Sequence, residues 1–170
     1  MKGQIMNIQA LPLQDRAAPD GICFGCGSAH PSGLQIKSHW DADGIHIVCK
    51  HTPSPEFTGW PELVYGGFIA MLVDCHSNWT AMAYHYRAEG REPGTAPRID
   101  CVTGQLNLSF HKPTPMGGEL ILKAWVEGEV GRKSRVICEV WAGDVLTVTG
   151  DSIFVRVSTE KLRAQAQAIN

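Results

Sequence analysis

Neither sign of charge dominates this sequence: over 170 residues the formal net charge is −2, so no broad electrostatic pull toward nucleic acid or a membrane surface is expected. It lacks any charge-free run of membrane-spanning length, and the stretch from Met1 to Pro12 has no sustained apolar core or cleavage site of the secretory kind. The expectation is a cytoplasmic protein with neither membrane nor nucleic acid as partner. Internal repeats and low-complexity runs are also missing. With 44% hydrophobic and 19% charged residues, the chain fits a single globular domain with a sizeable core. Its six cysteines form no loop-rich framework. In a reducing compartment they read as small buried hydrophobes.

Proline is absent from Gly66 to Arg87, and the apolar residues of that stretch fall on nearly every side of a helix. Such a helix is wrapped by protein rather than laid on a surface. In its middle stands a carboxylate, Asp74, which is costly to bury unless something uses it. At 100° per residue Asp74 shares a small, polar side with Gly66, Gly67, Ala70, Met71, Ser77, Asn78 and Ala81, which leaves room for a ligand; Ile69, Leu72, Val73 and Trp79 would face a sheet. Gly66 and Gly67 occupy the helix start, where unpaired N–H groups and the dipole can receive an anionic oxygen. A donor pair and a carboxylate are the minimum for acyl transfer to water. A diglycine start can equally be tight packing, and a helical Asp can simply pair with a cation.

Around this helix the pattern is α+β. Residues 1–21 read as an N-terminal arm, 22–158 as the domain and 159–170 as a short tail. Leu34–Trp40 and Ile45–Lys50 alternate about an Asp41-Ala-Asp-Gly44 turn and predict a hairpin. After the helix come four strands, at Val102–Phe110, Glu119–Glu127, Arg135–Trp141 and Val145–Val157, the last with an expected irregularity at Gly150. The links at 113–118, 128–131 and 142–144 are short enough to join antiparallel neighbours. The expected architecture is one long helix wrapped by a curved, mostly meandering antiparallel sheet of about six strands.

Other candidates are weaker. Cys75 and His76 follow Asp74, but adjacent helical side chains point about 100° apart and cannot converge as a triad. His76 is expected to be a hydrogen-bonded core or interface histidine. Cys23-Phe-Gly-Cys26 has the spacing of a metal knuckle, with His30 nearby, yet no second pair follows; a turn held by buried thiols, without metal, is the expectation. The acids at 41 and 43 and His46 straddle a turn and are expected to diverge. Lys112, Lys123, Arg132 and Lys133 cluster at the ends of the later strands, where they could meet the phosphates of a large substrate or form a solvated rim.

From about Cys23 to Val157 the chain resembles the hotdog-fold acyl-CoA thioesterases of the phenylacetate-pathway type. The resemblance rests on Cys23-Phe-Gly-Cys-Gly27 followed by His30-Pro-Ser-Gly-Leu34, on Tyr65-Gly-Gly with Asp74 downstream, and on Thr103-Gly-Gln-Leu-Asn-Leu-Ser-Phe-His-Lys-Pro-Thr-Pro-Met-Gly117. It implies an acyl-CoA substrate, no separate cofactor, and Asp74 as nucleophile or as general base for water. It further implies Gly66 N–H, beside Gly67, polarising the carbonyl, and Thr103 orienting the water or the acid. Sites would be shared across a homodimer, alone or as a dimer of dimers, with Asp74 of one chain serving a thioester held by Gly66 of the other. Two departures stand out: Tyr65 occupies a place where many members have His, and Gly59 one where several have Asn or Gln. Tyr65 can still donate a hydrogen bond toward the carbonyl, but the departures keep open a non-catalytic acyl-CoA-binding or regulatory protein. A hydratase ranks last, for want of an acid–histidine pair beside the helix.

Overall fold

A computed structural model describes residues 11–169; the first ten residues of the expected arm lie outside the described residues. The elements run α1 (Leu13–Ala17), β1 (Ser38–Trp40), β2 (Ile47–His51), β3 (Thr58–Trp60), β4 (Leu63–Val64), α2 (Gly66–Ala88), β5 (Asp100–Phe110), β6 (Leu120–Glu127), β7 (Lys133–Ala142), β8 (Val145–Val157) and α3 (Thr159–Ile169). No helix among the described residues is long and apolar enough to cross a membrane.

α2 forms because nothing in its 23 residues interrupts it. It stops where Gly90 adopts a left-handed φ of 62° and Arg91 N–H reaches back to the Tyr86 carbonyl, a closure that glycine makes without strain. Phe68, Ile69, Leu72, Val73 and Trp79 are buried, and each such side chain contributes about 1.5–3 kcal/mol relative to exposure. The opposing layer is one antiparallel sheet in the order β1-β2-β6-β7-β8-β5. Its inward positions on β6 to β8 include Leu120, Leu122, Ala124, Val136, Cys138, Val140, Val148 and Phe154, all fully buried. The helix lies close on this sheet at Gly150, where a Cβ would come within 2.6 Å of Val73 Cγ1.

Three local expectations need correction. The 113–118 link does not join neighbours: β5 runs along the far edge beside β8, and β6 pairs with β2. The link is instead stitched to β4, with Val64 N–H donating to the Thr114 carbonyl, Met116 N–H to the Glu62 carbonyl, and a bridge between Leu63 and Pro115. This carries the chain across the start of α2. The first strand is only Ser38–Trp40, because Leu34 and Ile36 donate their N–H groups to Phe24 and Gly25 rather than to a strand. Finally, the ladder passes regularly through Gly150. The irregularity in β5–β8 pairing lies between Thr103 and Gln105, and that in β7–β8 between Val140 and Trp141.

Candidate active site

The slip in β5 positions one side of the site. Before it the inward residues are Ile99, Cys101 and Thr103; after it they are Leu106 and Leu108. Gly104 absorbs the extra residue, and a bulge of this kind re-aims the side chain beside it. Thr103 is thereby turned to α2, where its hydroxyl donates to Asp74 Oδ1 at 2.6 Å. One turn along the helix, Asn78 donates to the Cys101 carbonyl at 3.1 Å. Its Oδ1 is buried and meets no donor among the described residues. Asp74 and Asn78 line a cavity of about 240 Å³ together with Cys23, Cys26, Cys75 and Cys101. Partial burial raises the Asp74 pKa above the usual carboxylate value, the Thr103 hydrogen bond opposes that rise, and negative charge on Cys23 adds to it. A half-buried carboxylate held by one oxygen has its other oxygen free to accept a proton.

The helix start forms a second, separate place. Tyr65 caps α2 without a side-chain hydrogen bond, so the first N–H groups remain available to an acceptor. Gly66 lines a cavity of about 380 Å³ with Ile69, Phe110, Lys112 and Thr114. A Cβ on Gly67 would lie 2.6 Å from the Tyr65 hydroxyl, so Gly67 makes room for the tyrosine ring that folds over the first turn. Eight residues of helix, about 12 Å, separate Gly66 from Asp74. Within one chain the two face different cavities.

The cations do not form a single cluster. Lys112 lies just beyond Phe110, which pairs with Val148, whereas Lys133 pairs with Val155 and Arg132 precedes it; the seven steps along β8 from Val148 to Val155 span about 24 Å. Lys123 sits mid-strand opposite Val48. Arg132 lines a pocket with Arg156 and Lys161 at the opposite end of the sheet from Lys112.

His76 is fully buried. Its Nε2 meets the Ile47 carbonyl at 3.1 Å and its Nδ1 meets Ser38 Oγ at 2.9 Å; Gln14 Nε2 donates to the same hydroxyl. Burial pushes its pKa down to about 4, so it stays neutral and ties α1, β1, β2 and α2 together. The acid and histidine of the first turn, expected to diverge, do meet: Asp43 Oδ2 lies 2.5 Å from His46 Nδ1. The turn itself causes this, since Asp43 Oδ1 also accepts the N–H groups of Ile45 and His46, which holds the carboxylate beside the ring.

The expectation of a turn held by buried thiols also needs revision. Cys23 is exposed and Cys26 half-buried, and the sulfur they gather around is that of Cys75, on α2. The Cys23 and Cys75 sulfurs are 3.8 Å apart. His30 is elsewhere, its Nδ1 accepting the Ser32 N–H and its ring edge-on to Phe24. Spacing alone hides Cys75, because it lies 52 residues from Cys23; the one local signal is glycine at 25, since a Cβ there would come within 2.5 Å of the Cys75 sulfur.

The Thioesterase superfamily model matches residues 62–149, just over half of the chain and the stretch that holds both α2 and β5. The chain belongs to this superfamily. A crystal structure of a thioesterase superfamily protein from Shewanella loihica PV-4 is 32% identical, covers 76% of this chain and 97% of its own, and superposes with a TM-score of 0.59. The BH2602 protein of Bacillus halodurans, crystallised with CoA, is 24% identical over 75% of this chain and 78% of its own, with a TM-score of 0.57. Acyl-coenzyme A thioesterase THEM4 of Bos taurus is 24% identical over 131 residues, 76% of this chain and 48% of that protein. The chain thus spans about half the length of the curated relatives it matches. A long helix against a six-stranded antiparallel sheet is the thioesterase superfamily's hotdog fold, as expected.

Proposed function

We infer that the protein hydrolyses an acyl-CoA thioester to a free acid and CoA, with Asp74 as the general base. The observation that carries this reading is the 2.6 Å hydrogen bond from Thr103 to Asp74 Oδ1 at the wall of an open cavity. Thr103 fixes the carboxylate, Oδ2 takes a proton from water, and the resulting hydroxide adds to the thioester carbonyl carbon. The carbon–sulfur bond then breaks, and the CoA thiolate leaves with the proton that Asp74 acquired. Asn78, one turn along the same cavity wall, holds α2 to β5 through the Cys101 carbonyl and so supports the placing of Asp74 beside Thr103.

The oxyanion would be received by Gly66 N–H of a second chain, with the Tyr65 hydroxyl beside it and Gly67 in the same turn. β5 is a sheet edge of 11 residues with Gln105, Asn107 and Ser109 exposed, and a long uncovered edge invites pairing with its own copy. Antiparallel pairing of two β5 strands would bring the Gly66 and Phe110 end of one chain to the Cys101 and Thr103 end of the other. The same pairing would bring Lys112 of one chain near Arg132 and Lys133 of its mate, supplying cations for CoA phosphates. CoA bound to the Bacillus halodurans protein and the activity named for the Bos taurus relative support this substrate class.

A non-catalytic acyl-CoA-binding protein is the second reading, favoured by the Tyr65 ring folded over the helix start at Gly67. Steady-state hydrolysis across a panel of acyl-CoA thioesters, wild type against Asp74→Asn, tests both. Loss of about 10²- to 10⁴-fold in kcat is expected for the variant. Undiminished turnover would remove Asp74 from the mechanism, and calorimetric binding without turnover of any panel member would establish the second reading.

A further inference from the structure

We propose that Cys23, Cys26 and Cys75 form a three-thiolate site for a thiophilic metal ion, zinc(II) foremost, which staples the loop at 21–27 onto α2 beside Asp74. The three sulfurs lie within 4.8 Å of one another. Two thiolates on one tetrahedral zinc, each about 2.3 Å from the ion, stand about 3.8 Å apart, and the Cys23 and Cys75 sulfurs are 3.8 Å apart. A disulfide would instead require a separation of about 2.05 Å and so a movement of the loop against a mid-helix residue.

The loop is shaped to bring these sulfurs together. Gly27 N–H donates to the Cys23 carbonyl at 2.8 Å, which closes the Cys-x-x-Cys turn and keeps Cys23 and Cys26 close together. Gly25 leaves the space that the Cys75 sulfur occupies, and a Cβ on Gly27 would lie 2.5 Å from both Cys23 N and the Gly21 carbonyl oxygen. On its outer side the loop is anchored by the Leu34 and Ile36 N–H groups, which donate to Phe24 and Gly25. The remaining cysteines behave differently: Cys49, Cys101 and Cys138 are buried on separate strands and join no such cluster. All three clustered residues line the cavity that holds Asp74, so a fourth coordination position is open to water from that cavity. Asp74 itself is not among the clustered ligands.

The test measures metal rather than turnover, so its result is independent of the thioesterase assignment. Full-length protein isolated without chelator is analysed for zinc, and the reduced apo-protein is titrated with Co²⁺ while thiolate-to-cobalt charge transfer and the visible bands of a tetrahedral site are followed. One zinc per chain and a Co²⁺ endpoint at one equivalent are expected. Both should be lost in Cys75→Ala and in Cys23→Ala, and retained in Cys101→Ala, whose thiol lines the same cavity outside the cluster. Cys23 is at the surface, so its variant reports even where Cys75→Ala fails to fold. Gly25→Ala should weaken Co²⁺ binding at least tenfold. Absence of charge transfer in the reduced wild-type protein, an unchanged endpoint in Cys23→Ala, or isolation of metal-free protein carrying a disulfide within the trio would overturn the proposal.

Discussion

Asp74 and His76 stand two residues apart on α2, roughly 200° apart around its axis, and face different parts of the molecule. On the His76 side every polar atom of the ring is met: Ser38 and the Ile47 carbonyl hold it, and Gln14 closes the chain of hydrogen bonds behind. On the Asp74 side one oxygen is held by Thr103, a neighbouring Asn78 oxygen is left without a donor, and a cavity opens beside both. Burial is therefore a poor guide to function here. The more deeply buried group has its hydrogen bonds complete, and the half-satisfied group is the one to which the proposed mechanism gives the proton transfer.

Substitutions on either side of α2 test the difference between Asp74 and His76. Beyond the loss of turnover expected for Asp74→Asn, the next largest effect should come from His76→Leu, which orphans the Ile47 carbonyl and costs about 1–3 kcal/mol in chemical denaturation. Its kcat per folded molecule should stay near that of wild type. A tenfold or greater fall in kcat for soluble His76→Leu would erase the distinction between the two sides.

Thr103→Val comes next, with a loss of roughly tenfold in kcat/KM, or about 1.4 kcal/mol. Because the Thr103 hydrogen bond lowers the Asp74 pKa, its removal should move the acid limb of the rate profile to higher pH. A limb that stays in place would mean that the hydroxyl does not restrain the carboxylate.

The smallest effect is on stability, and there the two residues differ in sign. Asp74 has a raised pKa in the fold, so the unfolded chain loses that proton first and wild-type stability falls as pH rises through the folded value. Asp74→Asn should therefore be the more stable protein at neutral pH, by under about 1 kcal/mol given the screening of a half-exposed group, with the gain vanishing below the ordinary carboxylate value of 3.8. His76 has a lowered pKa, so its contribution is present above 6.5 and lost as pH falls toward about 4. Denaturation midpoints of the two variants against wild type across this range separate the slopes; parallel curves would contradict both assignments.

Much of this was legible in the sequence where local chemistry decides the outcome. The proline-free run became α2 almost to the residue, and Asp41-Ala-Asp-Gly44 became the hairpin turn. The meeting of Thr103 with Asp74 was implied by family resemblance alone, since nothing in the spacing announces that Gly104 inserts a bulge and reverses which residues of β5 face inward. Leu34 to Ile36 alternates like a strand, yet its N–H groups are taken by the cysteine loop. The link at 113–118 is short like a hairpin loop, yet it pairs with β4. In each case a partner distant in sequence claimed the backbone, and periodicity carries no record of such a partner.

Gly150 bears on the carboxylate from outside the cavity. It meets Val73, the residue before Asp74, from the sheet side of the helix, so it acts as a mechanical stop that sets how low α2 rides and hence how near Asp74 comes to Thr103. A methyl group at this position, remote from any reacting atom, would raise the carboxylate off its restraint. The acid limb of Gly150→Ala should then shift in the same direction as that of Thr103→Val, and an unshifted limb would free the stop of any part in tuning the acid.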